Sequence, residues 1–252
     1  MSKFRTRPRT KSFGAARPAP VRLGLIGATG LIGRRIIEIS SEGDSARIVG
    51  IARRELNLPE GARMELFVAE TAKWGEVLEA VKPASLICAL GTTWKKSGRD
   101  EDAFRAVDQE LVVNTAEAAH KAGVTNFVLV SSAGADPRSK NFYLRVKGET
   151  EVLLSKVGFK RLDILRPGLL KGEREDDVRL VEGLARFASP VIDPLLPTKL
   201  EKFRSVEADL VAEAALGLGM RRAQGRYTHD NEAMKRAARE WRARAARENE
   251  EE

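Results

Sequence analysis

Tyr143 and Lys147, four residues apart, together with the upstream hydroxyls Ser131 and Ser132, are the side chains best suited to chemistry in this sequence. On one helix the phenol and the ammonium share a face. An ammonium beside a phenol favours the phenolate and brings the tyrosine proton from its usual value of about 10 toward working pH. Such a phenol can give its proton to a carbonyl oxygen while hydride arrives at the carbon, and a serine hydroxyl can hold that oxygen. Ser132 is the first choice for the hydroxyl and Ser131 the alternate, because one residue of slip at a strand end decides which enters a cleft.

A hydride must come from somewhere, and the start of the chain carries the matching signal. The apolar run Val21–Ile26 passes into Gly27-Ala28-Thr29-Gly30-Leu31-Ile32-Gly33. Strand, glycine turn and helix start are the arrangement that seats a dinucleotide pyrophosphate. Gly27 permits the turn, Gly30 lets phosphate approach the backbone, and Gly33 lets helix pack on strand. The amides around Thr29, Leu31 and Ile32, at the positive end of the helix dipole, complete the anion site. Past the second strand the chain reads Gly50-Ile51-Ala52-Arg53-Arg54. An acid there would hold the ribose 2′-hydroxyl of NAD. Arg53 and Arg54 suit a 2′-phosphate instead, so NADP(H) is the expected cofactor. Leu90, Gly91 and Thr92, after the fourth strand, are small enough to let the dinucleotide cross the sheet edge.

Strand and helix signals alternate from Val21 to Pro167, which predicts an α/β fold: a doubly wound parallel sheet of Rossmann type with a small C-terminal substrate-side subregion. Strands are expected at Val21–Ile26, Ala46–Ile51, Glu65–Ala69, Ser85–Leu90, Asn126–Ser131 and Arg161–Arg166. Helices are expected at Leu31–Ser40, Ala72–Val81, Asp102–Ala122 and Lys140–Val157, with Gly123 and Gly158 as stops. Further on, Asp176–Phe187 and Val206–Met220 read as helices and Gly225–His229 as a short strand. The domain reading is a disordered basic tail at 1–20, an NAD(P)-binding Rossmann domain at 21–230 with 169–205 as its substrate-side insertion, and a peripheral C-terminal helix with a frayed acidic end at 231–252.

Six of the eight net positive charges lie in residues 1–20, so the basic character belongs to the tail and not to the body. Three readings of that tail stand side by side: a solvated extension, an arm for nucleic acid or another anionic surface, and an Arg-rich transit segment. Beyond the tail, nucleic-acid binding is not expected. No apolar run approaches the ~20 residues of a membrane-spanning helix, so no span is expected. Cys88 is the single cysteine, which excludes an internal disulfide, fits a reducing compartment and leads to a cytoplasmic expectation. It reads as a small core residue. His120 and His229 are too few and too far apart for a metal site, so no metal is expected.

The stretches Gly27–Gly33, Cys88–Thr93, Val107-Asp108, Ser131–Asp136, Tyr143–Glu149 and Leu165–Gly168 together resemble an atypical short-chain dehydrogenase/reductase, and within it the Tat-interactive-protein-like group. The resemblance spans about residues 21–215 and implies NADP binding at the glycine turn and arginines. It also implies proton transfer at Tyr143, Lys147 on the nicotinamide ribose, and Pro167 to Leu170 beside the nicotinamide. Ordinary short-chain reductases carry an asparagine in the helix after the fourth strand that helps relay protons. Asp108 occupies the matching place and could still organise water.

The reading that follows is an NADPH-dependent oxidoreductase reducing a small carbonyl substrate. Two alternatives use the same residues: an NADPH-binding regulatory or scaffold protein with a protein partner and little turnover, and an NAD-dependent sugar-nucleotide epimerase, which the arginines disfavour. The sequence carries no sign of oligomeric state.

Overall fold

Strands buried on both faces require helices on both sides, and the central strands here are of that kind. In a computed structural model describing residues 19–58, 61–62, 64–171 and 205–250, the strands are β1 (Val21–Ile26), β2 (Ala46–Ala52), β3 (Met64–Val68), β4 (Ser85–Cys88), β5 (Asn126–Val130), β6 (Arg161–Leu165), β7 (Leu170–Lys171), β8 (Val206–Glu207) and β9 (Gly225–His229). Seven of them form one parallel sheet in the order β3-β2-β1-β4-β5-β6-β9, and β7 pairs with β8. The order reverses between β1 and β4, so the crevice for a ligand lies beyond the carboxyl ends of those two strands.

The helices are α1 (Leu31–Ser40), α2 (Trp74–Val81), α3 (Glu101–Arg105), α4 (Leu111–Lys121), α5 (Phe142–Val157), α6 (Ala208–Gly219) and α7 (Asn231–Glu250). Side chains alternate along each strand, so each strand feeds two cores. Leu23, Leu25, Ile48, Ile87 and Val128 pack with α1, α6 and α7. Ile26, Ile51, Leu86, Phe127 and Leu129 pack with α2, α4 and α5. This is the doubly wound sheet the sequence predicts.

Two sequence expectations shift for physical reasons. Val206 and Glu207 are extended, not helical, because they form a ladder with Leu170 and Lys171 before α6 starts. The C-terminal helix is not peripheral: it buries Met234, Ala237, Ala238 and Trp241, and a Cβ at Gly217 of α6 would stand 3.0 Å from the Ala237 carbonyl oxygen. Its acidic end stays helical through Glu250, and the Glu248 carboxylate accepts the Ser45 amide at 3.0 Å. The last strand is locked to β6 by a buried set: Arg161 donates to Asp163 at 2.6 and 2.8 Å, and His229 Nε2 lies 2.8 Å from the same carboxylate. The basic tail, the expected helix at 176–187 and most of the 169–205 insertion lie outside the described residues.

Candidate functional site

The glycine turn opens directly off β1. Gly27 has φ +87°, and a Cβ there would stand 2.5 Å from the Ala89 carbonyl, so only glycine fits. A Cβ on Gly33 would stand 2.2 Å from the Gly27 oxygen, which binds α1 tightly under the turn. Gly30 caps α1 without a side-chain hydrogen bond, leaving the first-turn amides open to an outside acceptor. Thr29 is exposed at the tip and Leu31 half-buried, whereas the Ile32 side chain lies in the core and can offer only its amide. A cradle in which each Cβ would be in the way fits a pyrophosphate.

Arg53 and Arg54 sit exposed in the bend after β2, and neither forms an ion pair among the described residues. Sequence reasoning passed over Arg34, exposed in the first turn of α1 and likewise without an ion pair among those residues. Its signal was its place directly after the third glycine. The carboxyl end of the β1–β2 side therefore carries three guanidiniums that form no ion pair among the described residues.

On the β4 side, the Ala89 amide bonds to the Ile26 carbonyl at 2.8 Å, which draws the half-buried Leu90, Gly91 and Thr92 over the crevice. Between α3 and α4 the helix takes a π turn, Ala106–Glu110. It aims Asp108, 1% exposed, at two donors: the Thr92 amide, 2.7 Å from Oδ2, and the Lys147 ammonium, 2.7 Å from Oδ1. Asp108 is thus tied to Thr92 by a hydrogen bond and to Lys147 by an ion pair.

Asn141 accepts the Leu144 amide and starts α5; Gly158, at φ 100°, ends it. Tyr143 is half-buried, edge-on to Phe104 at 5.7 Å, with Lys147 Nζ 6.0 Å from its ring centre. Trp94 and Phe142 extend this aromatic cluster, and the Arg105 and Arg145 guanidiniums lie over Phe142. The loop after β5 rests on α5 so closely that a Cβ on Gly148 would stand 2.3 Å from the backbone at Asp136 and Pro137. Ser131 and Ser132 part ways here. Ser131 is buried and donates to Glu151, which also holds Arg166. Ser132 is half-buried, and among the described residues its hydroxyl makes only a long 3.3 Å contact to the Ala133 carbonyl. The Pro167 carbonyl accepts the Ala133 amide at 2.8 Å, and Leu170 follows in β7.

Two shifted protons mark the surroundings. Burial pushes the Cys88 thiol up to about 11, so this residue beneath the site is an inert filler. A hydrogen bond from Arg105, outweighing partial burial, holds Glu149 below the usual carboxylate range and pins α5 to α3. Among the described residues no cluster of acids, histidines and cysteines could hold a metal ion, and no helix is long and apolar enough to cross a membrane.

Comparison with known proteins agrees with this geometry. Residues 27–193 match a family described as NAD(P)H-binding. Protein fmp52, mitochondrial, of Emericella nidulans is 34% identical over 210 residues, covering 81% of this chain and 89% of that protein. Protein FMP52, mitochondrial, of Meyerozyma guilliermondii is 33% identical and covers 76% and 90%. Among solved structures, UDP-glucose 4-epimerase of Thermus thermophilus in complex with NAD aligns with TM-score 0.60 at 22% identity, covering 90% of this chain and 84% of that one. A putative NAD-dependent epimerase/dehydratase from Bacillus halodurans aligns with TM-score 0.60 at 20% identity, covering 87% and 99%. At such identities these structures speak for the fold alone. The mitochondrial names of the sequence relatives overturn the cytoplasmic expectation, which rested on cysteine usage that a reducing organelle matrix satisfies equally well.

Proposed function

The chain belongs to the NAD(P)H-binding family, and from that premise we propose that it is an NADPH-dependent reductase of a small carbonyl compound. The observation that carries the reading is the close seating of the loop after Ser132 on α5, where Asp136 and Pro137 meet Gly148 and the Lys147 ammonium stands 6.0 Å from the Tyr143 ring centre. NADPH, when bound, supplies the hydride. Tyr143 gives its phenolic proton to the substrate oxygen, and Ser132 donates a hydrogen bond to the same oxygen. Lys147 holds the ribose and stabilises the phenolate left behind. Gly27, Thr29, Gly30, Leu31, Ile32 and Gly33 cradle the pyrophosphate, while Arg34, Arg53 and Arg54 select the 2′-phosphate. Leu90, Gly91 and Thr92 floor the dinucleotide, with Pro167 and Leu170 beside the nicotinamide. The mitochondrial names of its relatives support the same organelle for this chain.

The test is direct. Purified protein is titrated calorimetrically with NADPH and NADH, then mixed with NADPH and a panel of aldehydes, ketones and quinones while absorbance is followed. Tight NADPH binding with turnover abolished by Tyr143→Phe supports the reductase. Tight binding with Tyr143-independent, slow loss of NADPH points to a cofactor-bound regulator instead. Absence of NADPH binding by folded protein removes both. The same residues allow a second reading, sugar-nucleotide epimerisation, which requires NAD in preference to NADP and conversion of a UDP-sugar, and which the arginines after β2 disfavour.

A further inference from the structure

Asp108 occupies a position where three observations converge. It lies in the π turn between α3 and α4, and a π turn adds a residue to the helix and redirects the side chains around it. Its carboxylate is 1% exposed and meets Lys147 Nζ and the Thr92 amide, each at 2.7 Å. Its own carbonyl accepts the Thr150 hydroxyl of α5 at 3.2 Å. Side chain and backbone at this one residue thus join the β4 loop to the helix bearing Tyr143.

We propose that Asp108 is a positioning residue whose carboxylate fixes the Lys147 ammonium and the Thr92 amide at once, coupling the cofactor floor to the proton-donating helix. The inference rests on the reductase reading for its consequence, but the clamp itself stands on the geometry. The Thr92 amide donates to Oδ2 and the Lys147 ammonium stands at ion-pair distance from Oδ1, so one oxygen must accept and the other must face a cation. An asparagine offers one acceptor and one donor. Whichever way its amide turned, the NH2 group would face an N–H or a cation at 2.7 Å. The acid is therefore required here, and the asparagine of ordinary short-chain reductases would not serve. The lysine side chain is 4% exposed, and a buried ammonium is stabilised by an opposite charge beside it. With the ammonium set in place by Asp108, Lys147 needs no ordering when a ribose arrives.

Asp108→Asn tests this in the full-length protein, with Lys147→Met and the double variant beside it. Three readouts are taken: NADPH affinity, hydrogen exchange of the Thr92 amide without cofactor, and the 13C signal of the Lys147 ε-carbon. The clamp predicts Thr92 exchange about tenfold or more faster in Asp108→Asn and a displaced Lys147 signal. It also predicts NADPH affinity about tenfold lower in the wild-type background but within about twofold in the Lys147→Met background, as coupled partners must behave. Asp108→Glu should restore part of the affinity and asparagine none. Equal loss of affinity in both backgrounds, or unchanged exchange and carbon signal, overturns the proposal. Should Asp108→Asn fail to fold, Lys147→Met decides alone. The Asp108 carboxyl-carbon signal must then move relative to wild type, and an unmoved signal sinks the clamp. Wild-type protein that binds no NADPH would remove the reductase reading, while the exchange and carbon readouts would still judge Asp108.

Discussion

Replacing Arg53 and Arg54 together with alanine tests the assignment of the 2′-phosphate. Both side chains are exposed and form no ion pair among the described residues, so their loss leaves no group stranded and Tm should hold within a degree or two. The cost falls on the ligand. A hydrogen bond to a charged group contributes about 1.5–3 kcal/mol, and exposure with ionic screening pulls an open guanidinium toward the lower end of that range. Taking about 1–2 kcal/mol for the pair, NADPH affinity should fall roughly 5- to 30-fold. NADH, lacking the phosphate, should lose less than about twofold. Calorimetry with each cofactor at low and at ~0.5 M salt gives the ratio; wild-type preference for NADPH should shrink as salt rises. If the double variant keeps the wild-type NADPH/NADH ratio at low salt, the arginines do not read the phosphate and the cofactor assignment fails. An intermediate ratio would make Arg34 the next substitution, since it is exposed on the neighbouring helix turn.

Gly33→Ala would place a methyl 2.2 Å from the Gly27 oxygen and 2.7 Å from the Ala28 Cα, both backbone atoms. The expected loss is about 1–3 kcal/mol or more, seen as a Tm lower by several degrees in circular dichroism, with cofactor affinity lost as the turn is displaced. Cys88, fully buried and with its thiol pushed up to about 11, should resist a thiol reagent in native protein at pH 8 and react fully after denaturation; rapid native labelling would contradict the packing. Glu149 is held below its ordinary value by Arg105. Its contribution to stability is present above the usual glutamate value of about 4.3 and is lost as pH falls through the lowered one. The difference in Tm between wild type and Glu149→Gln should accordingly narrow on acidification, and a difference independent of pH would reject that attribution.

Much of the frame could be read in the sequence because local signals and tertiary needs coincide there. The strand at Val21–Ile26 and the helix at Leu31–Ser40 fall where the apolar run and the glycine turn place them. Gly123 and Gly158, both left-handed, end α4 and α5 as glycine stops should. What escaped depends on partners distant in the chain. Nothing local tells Val206 to extend; its reason is Leu170. Nothing local separates Ser131 from Ser132; Glu151, one helix away, takes the first. The peripheral look of residues 231–250 came from their many charges, yet Met234 and Trp241 sit on one face and suffice to bury it. Asp108 read as a departure from the relay pattern, but its two donors, Thr92 and Lys147, become neighbours only after the sheet forms.

The widened helical turn at Ala106–Glu110 makes the chain sensitive to length as well as to residue type. The wide turn holds one residue more than a regular helix needs, so excising one residue from that span would restore an ordinary spiral with its flanks in phase. Phe104 and Arg105 would keep their neighbours, while Asp108 would leave the turn that brings it to Thr92 and Lys147. A change too small to notice in an alignment would thus cut the loop after β4 loose from the lysine while every side chain thought to do the chemistry was still present.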